Sequence, residues 1–239
     1  MSKIKLISKI ITVGLIINFF NELSANEKLQ NIYVFGDSHA SFNHRMVRDA
    51  KFISADNVAV LFKIRAFSAR TMHRVGRDGL AGLDVTTYGV QSGDIVIFNF
   101  GEVDCRNHIG RQRDNLGRTL NEIIDTLAIK YIATIMANYQ LIPNVTYAVM
   151  SILPPSDLDL NAYGNLADRI KITKLLNQRL MEECSLRQLT FINIYDLLCD
   201  ANEALRHELS DGTVQVGPNC NQPIKERVVQ TLLIKKVLK

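Results

Sequence analysis

The chain has no tryptophan, only five prolines in 239 residues, and aromatic side chains at 7% of positions. So few large rings give little support to a surface that stacks nucleic-acid bases. No Pro-, Gly- or Ser-rich linker divides the sequence, and it carries neither an internal repeat nor a low-complexity tract, which argues against strings of modules and solenoids. Charge of one sign is scarce as well, with 28 Lys and Arg against 24 Asp and Glu. Neither nucleic acid nor an anionic membrane surface is therefore implied as a partner. A long hydrophobic run is also missing: the uninterrupted apolar stretch Ile10 to Phe20 (IITVGLIINFF) is too short for a comfortable membrane span.

That stretch has its own reading. Lys3, Lys5 and Lys9 precede or enter it, and the more polar NELSANEK with Ala25 follows. A basic start, a short apolar core and a small residue predict a signal peptide over residues 1–25 and an exported protein, periplasmic or secreted. An uncleaved signal anchor and a buried first helix are the alternatives. Loss of three lysines and Glu22 on cleavage would take the formal charge from +4 to +2. The four cysteines, Cys105, Cys184, Cys199 and Cys220, could form two bridges in such a protein, one of them among the last three. Four unpaired thiols are the equal alternative. Their spacing and the lack of a suitable histidine give no zinc signature, and no metal or cofactor is expected.

What is present is a globular composition, 47% hydrophobic and 22% charged with a mean hydropathy of +0.03, sufficient for one domain over residues 26–239. Five apolar runs rich in β-branched and aromatic residues read as strands: Ile32–Phe35, Val58–Ile64, Asp94–Phe100, Val145–Ile152 and Leu189–Ile194. Between the third and fourth, Leu116, Leu120, Ile123, Leu127, Tyr131 and Ile135 recur at helical spacing. Leu166, Ile170, Thr173, Leu180 and Cys184 do so after Pro154-Pro155, and Ile224, Val228 and Leu232 near the end. Strand and helix in alternation predict a three-layer α/β/α sandwich around a central five-stranded parallel sheet, of flavodoxin-like type.

Such sheets bind ligands beyond the carboxyl ends of their strands. The first strand ends on Gly36-Asp37-Ser38-His39 and the third on Gly101-Glu102-Val103-Asp104-Cys105-Arg106-Asn107-His108. The fourth ends at Ser151 and Pro154-Pro155. A serine at a strand-to-helix turn can present its hydroxyl while its own amide stabilises an oxyanion; the plainer reading is a helix N-cap. Glu102, Asp104, Arg106 and His108 crowd one turn behind a strongly apolar strand, where a loop ion pair is the plainer reading.

FGDSH and FGEVDCR, in this order and at strand ends, resemble two blocks of the SGNH/GDSL hydrolases, a superfamily of esterases and lipases. The match is to a subgroup with GDSH and GE(I/V)DCR blocks. LPP at Leu153–Pro155 and ELSDGTVQVG at Glu208–Gly217 are similar to its later blocks. The resemblance implies Ser38 as nucleophile, an oxyanion glycine at Gly76 or Gly79 together with Gly101, and a binding rim from Asp37, His39, Glu102, Asp104 and Arg106. It also implies Asp211 as the residue that orients a histidine base. Two positions depart from the family pattern. Valine stands at 103 where an asparagine donor is usual, and neither Val214 nor Gln215 is the histidine that would deprotonate the serine. His108, on the facing loop, is the expected substitute base, ahead of His39 and His207.

Two functions follow as expectations. One is a serine esterase acting on a small-molecule or carbohydrate ester, for example an acyl or acetyl group. The other is a weak or inactive ligand-binding protein that keeps the pocket. A divalent-metal or phosphate site from Asp37, Glu102, Asp104 and His108 is a third, lesser reading.

Overall fold

The computed structural model describes residues 29–42, 49–68, 70–159 and 161–238. The expected signal peptide and His44 lie outside the described residues. From Asn31 to Lys239 the chain forms one compact unit.

Its main elements in chain order begin with β1 (Gln30–Gly36), a 3-10 turn at Ser38–Ser41, β2 (Asp49–Ile53), β3 (Ala59–Ala66), α1 (Met72–Gly82) and β4 (Ile95–Asn99). A π-helical turn at Asp104–His108 then leads into α2 (Ile109–Leu116), followed by α3 (Leu120–Leu141), β5 (Thr146–Met150) and α4 (Leu166–Leu186). The last are β6 (Thr190–Ile192), α5 (Tyr195–Leu198) and α6 (Asn221–Ile234).

Successive side chains of a strand face opposite ways, and this alternation makes the layers. Tyr33, Phe35, Val96, Phe98, Tyr147 and Val149 meet α1, α3 and α4 on one face of the sheet. Ile32, Val34, Ile95, Ile97, Ala148 and Met150 meet α6 on the other, through Ile224, Val228, Val229 and Leu232. The three-layer α/β/α expectation holds.

The sheet has six strands rather than five, in the order β2-β3-β1-β4-β5-β6. The β1–β4, β4–β5 and β5–β6 pairs are parallel, whereas β2 pairs antiparallel with β3. The extra strand escaped the sequence reading because DAKFI is an edge strand with Phe52 its one buried residue, so no apolar run marks it. A second correction concerns the stripe that seemed to run from Leu116. Gly117, at φ 62°, ends α2, and Thr119 with Glu122 forms a capping box that starts α3. Leu116 is 65% exposed and belongs to neither core. The four cysteines are free thiols. Among the described residues no helix is long and apolar enough to cross a membrane.

The tip of β1 is pressed against β4. Asp37 N donates to Asn99 O at 3.2 Å, and a Cβ on Gly36 would stand 2.1 Å from that same carbonyl and 2.7 Å from Ala40 Cβ. Only glycine fits this crossing. Gly36→Ala is expected to destabilise the fold by about 3 kcal/mol or more. Gly117→Ala meets open space, has only a left-handed backbone to strain, and should lose about 1 kcal/mol. Denaturant melts of the two variants check the ranking, and equal stabilities would refute the tight crossing.

Candidate active site

Asp37 ends the first strand as the N-cap of the Ser38–Ser41 turn, its carboxylate taking the His39 amide at 3.0 Å. Its carbonyl takes the Ala40 amide. Neither bond uses the Ser38 N–H, which stands beside its own hydroxyl. Ser38 is half-buried, and its Oγ accepts a hydrogen bond from Gln215 Nε2 at 2.9 Å. Among the described residues Gln215 is the side chain on that hydroxyl.

Gln215 is delivered by a small loop. Ser210 bridges Val216, Asp211 N donates to Gln215 O, and Gly217 N donates to Leu209 O, so the chain folds back over residues 211–215. Leu209 and Val216 anchor the loop in the core. Ser156 Oγ, from the segment after β5, donates to Thr213 O at 2.9 Å. His39 holds it from below, its Nε2 standing 3.1 Å from Val214 O.

His39 joins three segments. The ring is buried, and its Nδ1 lies 3.1 Å from Asp37 Oδ1 and 3.9 Å from Glu102 Oε2. An imidazole between a carboxylate and a carbonyl fills both positions only as a double donor. Burial works against its charge, but the Asp37 hydrogen bond, the Glu102 and Asp37 charges and the Val214 carbonyl outweigh burial and raise its pKa to about 9. Both its nitrogens are engaged by these acceptors, which leaves neither for the Ser38 hydroxyl.

The turn after β4 faces this cluster. Glu102 Oε1 accepts from Arg106 Nε at 2.7 Å, and Arg106 Nη1 reaches Asp159 at 3.3 Å. Burial raises the Glu102 pKa, partly offset by the positive charges of His39 and Arg106. Gly101, at φ 126°, lets the chain turn between the side chains of Ile152 and Met72. Asp104 is turned elsewhere: buried, it accepts the Met72 and His73 amides at 2.7 and 3.3 Å and so fastens the start of α1.

No protein-family model matches the chain, and no curated protein does. Solved structures do. A GDSL-like lipase from Bacteroides thetaiotaomicron superposes with a TM-score of 0.55 at 15% identity, covering 92% of this chain and 97% of its own. A carbohydrate acetylesterase from Sinorhizobium meliloti gives 0.54 at 14%, covering 86% and 99%. The native aryl esterase of M. smegmatis gives 0.53 at 14%, covering 87% and 100%. The chain has the SGNH/GDSL hydrolase fold.

Several positions carried over from the SGNH blocks are not gathered at Ser38. His108 lines a different cavity, of about 150 Å³, with His73, Gly76, Gln112 and Lys130, and its Nδ1 lies 3.6 Å from Asp104. Gly79 lies seven residues into α1, about 10 Å beyond the end that Asp104 fastens. Gly76 is a packing glycine, since a Cβ there would stand 2.9 Å from Tyr131 N of α3. The segment that does adjoin the β1 tip follows β3, where Phe67 N donates to Gly36 O. Asp211 orients no histidine, because its exposed carboxylate takes the Thr213 amide and hydroxyl of its own turn. His207 pairs with Asp157 on the surface. Among the described residues no cluster of three His, Cys, Asp or Glu side chains could hold a metal ion.

Sequence reasoning missed Arg169 and Asn177. Arg169 is buried and donates to Ser156 O, and Asn177 clamps both backbone polar groups of Ile152. Each is a polar residue inside an amphipathic helix, and its place against the fourth strand end is set by α4 docking.

His39 makes stability depend on pH. Its folded pKa is raised from 6.5 to about 9, so its contribution is complete below pH 6.5 and is lost as pH climbs through 9. The full effect is about 3 kcal/mol. Denaturation between pH 6 and 9.5 should show this decline in the native protein and a flatter profile in His39→Gln; parallel profiles would remove the buried imidazolium.

Proposed function

We propose that the protein is a GDSL-type serine esterase, a single domain from residue 26 behind a cleaved export signal. Its substrate is a small-molecule or carbohydrate ester, and Ser38 is the attacking group. The observation that carries this reading is a half-buried serine hydroxyl at the start of the turn after β1, close to the β4 and β5 ends, in the fold of known esterases and lipases. In this reading the Ser38 N–H is the donor for the developing oxyanion.

The glutamine sets the rate. An amide nitrogen gives a hydrogen bond and takes no proton near neutral pH, so Ser38 attacks without general-base help. Turnover then rests on binding and oxyanion stabilisation alone, orders of magnitude below a complete triad. The same contact favours a second reading, in which the protein binds the ester and does not turn it over.

Hydrolysis of p-nitrophenyl acetate by native protein, Ser38→Ala and Gln215→His separates the two. The esterase predicts slow native turnover abolished in Ser38→Ala and raised about 10²-fold in Gln215→His. Equal native and Ser38→Ala rates leave the binding reading.

A further inference from the structure

The loop that covers Ser38 is fastened differently at its ends and at its tip. At the ends, Ser210 bridges Val216, Gly217 N donates to Leu209 O and Asp211 N donates to Gln215 O. Toward the tip, Thr213 O accepts from Ser156 Oγ at 2.9 Å and from Ser210 Oγ at 3.1 Å. The peptide unit between Val214 and Gln215 has weaker support. Its N–H donates to the Thr213 hydroxyl at 3.3 Å, and its carbonyl is met, among the described residues, by His39 Nε2 at 3.1 Å. This is the unit that carries the Gln215 side chain to the Ser38 hydroxyl.

The groups around the buried His39 ring decide what loss of a proton would do. The turn after β1 presents Asp37 at 3.1 Å from Nδ1, and the turn after β4 presents Glu102 at 3.9 Å from the same nitrogen. Arg106 stands behind Glu102, paired with it at 2.7 Å and with Asp159 at 3.3 Å. The carboxyl-terminal loop presents the Val214 carbonyl to Nε2. When the imidazolium gives one proton to solvent, the proton that remains stays on Nδ1, beside the two carboxylates. Nε2 is then a lone pair facing a carbonyl oxygen, two acceptors with no hydrogen between them. A peptide unit is planar, so turning the Val214 carbonyl away from the ring turns the Gln215 nitrogen with it.

We propose that His39 is the positioning residue of this cover: doubly protonated, it clasps Val214 and holds Gln215 on the Ser38 hydroxyl, and loss of the Nε2 proton releases both. The loop ends stay fastened, so the change is confined to the tip. The clasp itself does not depend on turnover; its bearing on ester attack by Ser38 rests on the esterase reading.

Carbon-detected NMR of labelled protein between pH 7 and 10.5 tests it, following His39 Cε1 and Gln215 Cδ, the latter assigned by its loss in Gln215→Ala. In the native protein both resonances should titrate with one midpoint, near pH 9. Glu102→Gln should lower the two midpoints together, by about one pH unit. His39→Gln should abolish the Gln215 step while the β4 resonances stay native; if that variant does not fold, the paired shift in Glu102→Gln carries the test. A Gln215 resonance that ignores the His39 titration, or that still moves at the same pH in folded His39→Gln, overturns the clasp. Coupled midpoints in a protein whose Ser38→Ala variant hydrolyses p-nitrophenyl acetate as fast as the native keep the clasp and discard the esterase reading.

Discussion

One buried imidazole ring fixes the relation of the three segments that make the site. His39 belongs to the tip of β1, faces Glu102 from the tip of β4, and holds Val214 of the carboxyl-terminal loop by its carbonyl. Two neighbouring strands are aligned by backbone pairing, but nothing in a parallel sheet determines where a loop more than 170 residues further along will rest. A charged double donor buried between a carboxylate and a carbonyl does, because leaving either acceptor strands a polar group out of water. Gln215 reaches Ser38 as a consequence of how Val214 is held.

The acidic turn after β4 divides its charges between two tasks. Glu102 and Arg106 face the cluster and balance one another, with Asp159 as the second partner of the arginine. Asp104, two residues beyond Glu102, turns the other way and closes the exposed amide end of α1. The turn that looks like one electrostatic patch in the sequence is thus half site and half scaffold. Gly101 permits the split by taking a backbone conformation open to few other residues, while Ile152 and Met72 close on the space a side chain would need.

Much of the fold could be read from the sequence because buried parallel strands announce themselves as continuous apolar runs. The runs at 32–35, 58–64, 94–100, 145–152 and 189–194 each became a strand of the sheet. β2 could not be read, since an edge strand covered on one side carries its polar residues in the open. The break between α2 and α3 was written in Gly117 and the Thr119-x-x-Glu122 box, and was hidden by an apolar period that happens to run across it. Around Ser38, the structure brings Glu102 near the His39 that follows it and sets Gln215, where the family pattern expects a histidine, on its hydroxyl. His108 lies in another cavity and Gly79 within α1, because nearness in a loop or a motif says nothing of which face of a π-helical turn or which turn of a helix a residue occupies. His39 was underestimated for the converse reason. A neighbour whose nitrogens are bonded elsewhere can still govern the loop that touches the serine.

Under the proposed esterase reading, what position 215 lacks is more than one group. Histidine works best as a base when its other nitrogen is held in the right tautomer by an acceptor. In this loop the nearby carboxylate, Asp211, is bound to the amide and hydroxyl of Thr213 and stabilises the turn itself. In that reading the base and the group that would orient it are therefore both lacking, and the loop is a hydrogen-bonding cover over Ser38. Under the proposed esterase reading, such a site discriminates among molecules mainly by what its neighbouring surfaces hold, since the serine end offers little beyond its own N–H and a polar contact. Under that reading the weight of selectivity falls on the Glu102–Arg106–Asp159 group at the neighbouring strand end.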